Sequence, residues 1–205
     1  MEKKKQRKLI IMQSLAAMLE ERDLMKITTA ELAKRSEITE AAIYKHFPSK
    51  RKIFEELVVF FEESIFTRIK VMKEEAKPED FPGQLIALVL KFCETNKGFS
   101  RILTREVFTA DEVKIIDKVA NCFEKINIEI RQSLQEYERT TKKKLNLNLT
   151  ASCDLLLSCL EGQIQSFVRS KFKKPSGLIA RKINLETGEL AKPEDERVKF
   201  ELFLN

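Results

Sequence analysis

Residues 39–45 place a carboxylate, an ammonium group, two hydroxyls and two methyl side chains on one short segment of the chain. Lys45 can donate to guanine O6 and N7, Glu40 can accept from cytosine N4, and an alanine methyl can contact a thymine methyl. A helix carrying such groups on its free face is suited to the major groove of DNA. The candidate base-contacting residues are Thr39, Glu40, Ala41, Ala42 and Lys45.

A second set of polar side chains flanks this segment and has the chemistry of phosphate contacts. The set is Thr29, Tyr44, His46, Lys50 and Lys52. A helix that begins after Ser49 would add backbone donors and a favourable dipole. Phosphate contacts fix the register of a protein on DNA, whereas base-edge contacts read the sequence.

The elements that must position these side chains can be read from residues 28–54, TTAELAKRSEITEAAIYKHFPSKRKIF. Thr28 and Glu31 form a capping box that starts one helix, and Thr39 caps a second. Leu32 and Ala33 face inward, and Ile43 and Phe47 return to the same side at helical spacing. Two short helices joined by a brief turn predict a helix-turn-helix motif.

The strings ITTAELA and TEAAIYKHFPSKRKIF resemble the N-terminal signature of TetR-type transcription regulators. The resemblance implies an all-α fold, with a three-helix DNA-binding domain over residues 1–52 and a helical dimerisation and regulatory domain over residues 53–205. Such proteins bind palindromic double-stranded DNA as homodimers. LIIMQSLAAMLE, SRILT (100–104) and SFVRSKFK (166–173) are similar to the branch of the family that acts in nucleoid occlusion and inhibits the division protein FtsZ.

Glu37 departs from the family pattern, because glycine usually occupies this position of the turn. A left-handed backbone conformation is cheap for glycine and costs other residues about 1 kcal/mol. We therefore expect a stability cost at Glu37 and an intact motif.

Composition agrees with a nucleic-acid partner and gives little support to an enzyme. The net charge is +6, and residues 1–56 hold 13 Lys and Arg against 9 Asp and Glu. The chain lacks the common phosphate-loop, dinucleotide, zinc-protease and hydrolase motifs, and its one histidine, His46, belongs to the helix-turn-helix. We expect no catalytic residue, no metal and no cofactor. Four cysteines without a CxxC pair predict buried, reduced thiols.

The sequence also predicts where the protein acts. No run of about 18 apolar residues is available for a membrane span, and the start MEKKKQRK has no secretory apolar core behind it. We expect a cytoplasmic, nucleoid-associated protein with no membrane partner.

Helical periodicity continues through most of the remaining chain. Apolar stripes predict a long helix from Ser49 to about Glu74, and further helices over residues 85–96, 100–108, from 111 and 148–173. The last segment is less regular. A turn at residues 186–188 leaves a hairpin and an extended linker as alternatives, and a short helix is expected over residues 193–204.

The helix over residues 148–173 is the expected dimer element, because the resemblance implies pairing across a two-fold axis. Gly162 would permit close approach of the partner. The candidate interface residues are Leu156, Leu157, Leu160, Ile164 and Phe167. Packing within a single chain is the alternative for this apolar face.

Two functions compete for the C-terminal domain. The first is FtsZ binding, for which the resemblance implies the surface residues Phe60, Arg68, Leu88 and Asn96. Lys91 and Thr95 stand on that surface where glycine and arginine are expected. The alternative is a ligand-responsive repressor that binds a small apolar molecule. Bulky residues over 85–92 with few polar groups nearby predict a filled core and argue against a specific polar ligand, so we favour the protein partner.

Overall fold

The computed structural model describes residues 2–21 and 27–174, and these residues form eight helices. The helices are α1 (Glu2–Glu21), α2 (Thr29–Arg35), α3 (Glu40–His46), α4 (Lys50–Glu75), α5 (Phe81–Thr95), α6 (Lys97–Leu103), α7 (Val113–Thr141) and α8 (Leu149–Arg169). The predicted all-α fold is confirmed. The expected turn at 186–188 and helix at 193–204 lie outside the described residues. Among the helices described, none has a stretch long and apolar enough to cross a membrane.

The three predicted N-caps of the DNA-binding region are confirmed. The Thr28 hydroxyl accepts from the Glu31 amide, the Thr39 hydroxyl from the Ala42 amide, and the Ser49 hydroxyl from the Lys52 amide, each at 3.2 Å. Each cap satisfies a backbone donor that the first helical turn leaves open. The starts of α2, α3 and α4 are therefore fixed by local sequence.

The interior of the C-terminal helices is filled by phenylalanine rings from three helices. Phe61 and Phe92 meet edge to face with 5.2 Å between ring centroids, and Phe92 meets Phe99 in the same way at 5.3 Å. Phe60 lies 5.9 Å from Phe99 at the margin of this group. Aromatic pairs at this spacing combine large apolar burial with favourable ring electrostatics. The rings hold α4, α5 and α6 together.

Helix α6 differs from the sequence prediction at both ends, since it begins at Lys97 and ends at Leu103. Gly98, which falls between the two helices predicted over residues 85–96 and 100–108, lies inside this helix. A Cβ atom at Gly98 would be only 2.1 Å from the carbonyl oxygen of Ala16 in α1. Glycine is needed here because α6 crosses α1 at very short range. Lys97 adds an ion pair to Glu20 of α1, with 2.8 Å between nitrogen and oxygen.

Helix α8 faces the protein core with residues that we had expected at a dimer interface. Leu160, Ile164 and Phe167 are at most 4% exposed within the single chain, so the structure favours the alternative, packing within one chain, at these three positions. Leu155 is instead 54% exposed. Both sides of α8 are rich in apolar or small residues, so periodicity alone did not distinguish the inward face from the outward one.

The cysteine prediction is wrong at one position. Cys93, Cys122 and Cys153 are buried, but Cys159 is exposed on α8. Burial raises the pKa of the Cys93 thiol to about 12, which keeps this group protonated and unreactive.

Candidate nucleic-acid interface

Helix α3 is anchored by two apolar residues and presents its remaining side chains outward. Ile43 and Phe47 are 1% and 0% exposed, whereas Tyr44 is 50% exposed. The predicted base-contacting residues divide accordingly. Thr39, Glu40, Ala41 and Lys45 are exposed, and Ala42 is half-buried. The outward face of α3 thus carries the groups that we assign to base reading, although the Thr39 hydroxyl also serves as the helix cap.

The turn before α3 adopts the backbone conformation expected from the family pattern. Glu37 has a φ of 54°, in the left-handed region that favours glycine. The amide of the next residue, Ile38, donates to the carbonyl of Ala33 at 3.1 Å. The turn is therefore intact, with a non-glycine residue at its strained position.

Two predicted phosphate ligands are engaged within the protein. The Lys50 ammonium group donates to the carbonyl oxygen of Ile27 at 2.5 Å and is half-buried, and burial lowers its pKa. Lys50 therefore fastens the start of α4 to the chain before α2, and one of its donors is used within the protein. Lys52 lies 2.9 Å from Glu55 and 3.8 Å from Glu56, so its charge is partly compensated on its own helix.

His46 ends α3 next to a group of cations that the sequence reasoning did not assign to the site. Its Nδ1 atom is buried and has no hydrogen-bond partner in the described structure. Burial lowers the pKa of His46, and the nearby charges of Lys4, Arg7 and Lys8 lower it further. The ammonium group of Lys8 also lies 5.2 Å from the ring centroid of Phe47. The start of α1 is thus beside the end of the recognition helix.

The predicted partner surface is only partly exposed. Phe60, Arg68 and Leu88 are half-buried, and so are Lys91 and Thr95. They follow one edge of α4 and one edge of α5.

Asn96 does not belong to that exposed surface. It is 8% exposed, and its side-chain amide donates to the carbonyl of Phe92 at 2.9 Å. Asn96 therefore fixes the junction between α5 and α6, which corrects its assignment to the exposed patch. The positions on α4 and α5 remain candidates for contact with a partner.

The capped helix pair, the buried anchors of α3 and its exposed polar face define a helix-turn-helix DNA-binding protein. Residues 11–57 match the profile described as bacterial regulatory proteins, tetR family, and residues 83–190 match the tetracyclin repressor-like C-terminal domain. The chain belongs to the TetR family. Family membership makes it a DNA-binding regulator and agrees with the resemblance seen in the sequence.

Similar proteins extend this result over most of the chain. The nucleoid occlusion factor SlmA of Marinomonas sp. (strain MWYL1) is 37% identical, with 83% of this chain and 87% of that protein covered. The SlmA of Shewanella halifaxensis (strain HAW-EB4) is 40% identical over 81% of this chain and 85% of its own.

Solved structures confirm the fold at lower identity. FadR from Bacillus subtilis, in complex with stearoyl-CoA, superposes with a TM-score of 0.66 at 15% identity, covering 84% of this chain and 91% of its own. FadR from Bacillus halodurans gives a TM-score of 0.67 at 15% identity, with coverages of 85% and 89%.

Proposed function

We propose that this protein is a nucleoid occlusion factor, a dimer that binds palindromic DNA and inhibits the assembly of FtsZ while bound. The observation that carries the proposal is 37–40% identity to nucleoid occlusion factors over more than four fifths of the chain. The exposed polar face of α3 supplies the DNA-reading half of this function. The edges of α4 and α5 supply the half that meets the division protein.

The aromatic interior favours a protein partner over a small apolar ligand. Phe61, Phe92 and Phe99 occupy the space between α4, α5 and α6 in mutual ring contact. A ligand that alters the spacing of two recognition helices would need room among these helices, and its entry would separate packed rings. The likeness to the stearoyl-CoA complex of FadR concerns the fold and carries no argument for a ligand here.

The dimer interface that we propose uses the outward face of α8. Its core is a stripe of uncharged residues spaced by three and four positions: Ser152, Leu155, Cys159, Gly162 and Ser166. The central three are exposed in the single chain, and a Cβ atom at Gly162 would meet nothing within 4 Å. Residues spaced by three and four positions form a ridge on one side of a helix, which can pack against the same ridge of a second copy. This stripe replaces Leu160, Ile164 and Phe167, while Leu156 and Leu157 are half-buried beside it.

The proposed FtsZ surface joins Phe60 and Arg68 of α4 to Leu88 of α5. Phe60 and Arg68 are eight residues apart on α4, and buried Ser64 stands midway between them on the same line. Aromatic residues and arginine are enriched at protein interfaces relative to the rest of the surface. An acidic segment of the partner would complement Arg68.

Co-sedimentation with FtsZ polymers tests the proposed partner. We expect wild-type protein to pellet with the polymers in the presence of its DNA, and Arg68→Asp to remain in the supernatant while binding DNA normally. Lys70→Asp is the matched control, because Lys70 is exposed on another face of the same helix and should leave pelleting unchanged. Equal pelleting of wild type and Arg68→Asp would overturn the assignment of this surface.

A further inference from the structure

The first two turns of α1 carry cations on the side of the helix that is buried further along. Ile11 and Leu15 are fully buried on this side. Lys4, Arg7 and Lys8 lie seven, four and three residues before Ile11, so helical spacing places them on the same stripe. The stripe that is buried at Ile11 and Leu15 therefore changes from apolar to cationic toward the start of the helix.

Contacts place this cationic stripe at the recognition helix. The ammonium group of Lys8 is 5.2 Å from the ring centroid of Phe47, the residue that ends α3. Lys4, Arg7 and Lys8 are all close enough to His46 to repel a proton from its imidazole. Lys4 and Arg7 are exposed, and within the described residues neither is in an ion pair.

The arrangement is electrostatically unfavourable in the free protein for two reasons. Cations in the first turns of a helix oppose its dipole, which favours negative charge at that end. Lys4 also lies three and four residues from Arg7 and Lys8, a spacing at which like charges on a helix repel each other. An anion placed at this surface relieves both effects.

We propose that the start of α1, through Lys4, Arg7 and Lys8, is a further DNA-contacting element that holds backbone phosphates beside the recognition helix. The inference rests on the DNA-binding function and adds a second site of contact to it. α3 reads the groove with its outward face, and α1 meets the phosphates on the side where α3 ends. Lys4 and Arg7 thereby supply positive charge for the phosphates, whereas Lys50 and Lys52 contact groups of the protein itself.

The test compares Lys4→Ala/Arg7→Ala with Lys143→Ala/Lys144→Ala, which removes the same charge from the loop after α7. Lys8 is kept because it packs on Phe47. The probe is a palindromic duplex that wild-type protein selects from a random pool. Its dissociation constant is measured between about 50 and 200 mM salt, since each lost phosphate contact lowers the salt slope by about 0.9.

We expect the α1 variant to bind at least tenfold more weakly, with a salt slope shallower by about two units per protomer and an unchanged sequence preference. A duplex that ends at the outermost base pair contacted by α3 lacks the flanking phosphates that we assign to α1. Shortening the duplex in this way should weaken DNA binding by wild type to the same degree and leave DNA binding by the α1 variant unchanged. The control variant should match wild type throughout. If the α1 variant matched the control in DNA affinity and salt slope, the role of α1 would be wrong, but the DNA-binding function of the protein would not be contradicted.

The titration of His46 tests independently whether the start of α1 lies beside α3. Removing Lys4 and Arg7 should raise the pKa of His46 in the free protein, as followed by NMR of its imidazole. An unchanged His46 titration would show that α1 does not lie beside α3, which also overturns the inference. If wild-type protein selected no palindromic duplex, the DNA-binding function itself would fail and the inference with it.

Discussion

The ammonium group of Lys50 lies 2.5 Å from the carbonyl oxygen of Ile27 and joins two points of the chain that are 23 residues apart. Lys50 is the first residue of α4, and Ile27 precedes the cap of α2. This hydrogen bond therefore couples the long helix of the C-terminal domain to the entry of the helix-turn-helix. A lysine expected to bind phosphate serves in the internal architecture.

Lys50→Ala should consequently lower the stability of the folded protein as its main effect. Loss of a hydrogen bond from a charged donor costs about 1.5–3 kcal/mol when buried, and about 1 kcal/mol is expected for this half-buried group. Urea unfolding measures the change. Lys52→Ala is the comparison, since its ion pairs are on the surface of one helix and should contribute less than about 0.5 kcal/mol. Equal stability of Lys50→Ala and wild type would contradict the structural role.

Glu37→Gly should stabilise the protein, because glycine adopts a φ of 54° without the steric cost that a side chain carries. The expected gain is about 1 kcal/mol in the free energy of unfolding, partly offset by the greater freedom of glycine in the unfolded chain. DNA affinity should remain within error. Glu37→Ala keeps a Cβ atom and should show no gain, so a similar gain in both variants would point away from backbone strain.

Leu155 and Leu160 offer a matched pair on opposite faces of α8. Leu160→Glu places an unpaired charge in the protomer core, where Leu160 is 0% exposed, and should cost several kcal/mol and unfold the protein. Leu155→Glu alters an exposed residue and should yield a folded monomer. Analytical ultracentrifugation and circular dichroism distinguish the two results. If the Leu155→Glu protein remained dimeric, the outward stripe would not be the dimer interface.

His46 should make stability depend on pH near neutrality. Its pKa in the folded protein lies below the ordinary value of about 6.5. Between the two values the unfolded chain binds more protons, so the free energy of unfolding falls as the pH is lowered through this window and recovers above about pH 6.5. His46→Gln should flatten that dependence in the window below about pH 6.5. An NMR titration that placed the His46 pKa above 6.5 would contradict this sign.

The helix-turn-helix could be predicted from sequence because its signals are local. Thr28, Thr39 and Ser49 each cap a helix through an amide three residues away. The features that could not be predicted depend on distant contacts. Gly98 permits the crossing of α6 over Ala16 of α1, and no pattern within 97–103 reveals this neighbour.

The candidate DNA-binding site could also be predicted only where its signals are local in the sequence. The exposed face of α3 follows from the buried positions Ile43 and Phe47. The role of Lys50 depends on a carbonyl group 23 residues earlier, and the cations at the start of α1 gain meaning only once α1 is known to lie beside His46. Their spacing from Ile11 was the available signal, since it continues the inward stripe of the helix.

The most direct test of the proposed function is FtsZ assembly followed by light scattering in the presence of this protein and DNA. We predict that the protein with its palindromic duplex reduces polymer assembly strongly, whereas a scrambled duplex does so weakly. Lys45→Ala should weaken the effect of the palindromic duplex, because it costs about 1–3 kcal/mol of discrimination at one base pair. Unchanged FtsZ assembly under all conditions, together with release of the protein from DNA by a small apolar molecule, would contradict nucleoid occlusion and establish a ligand-responsive repressor.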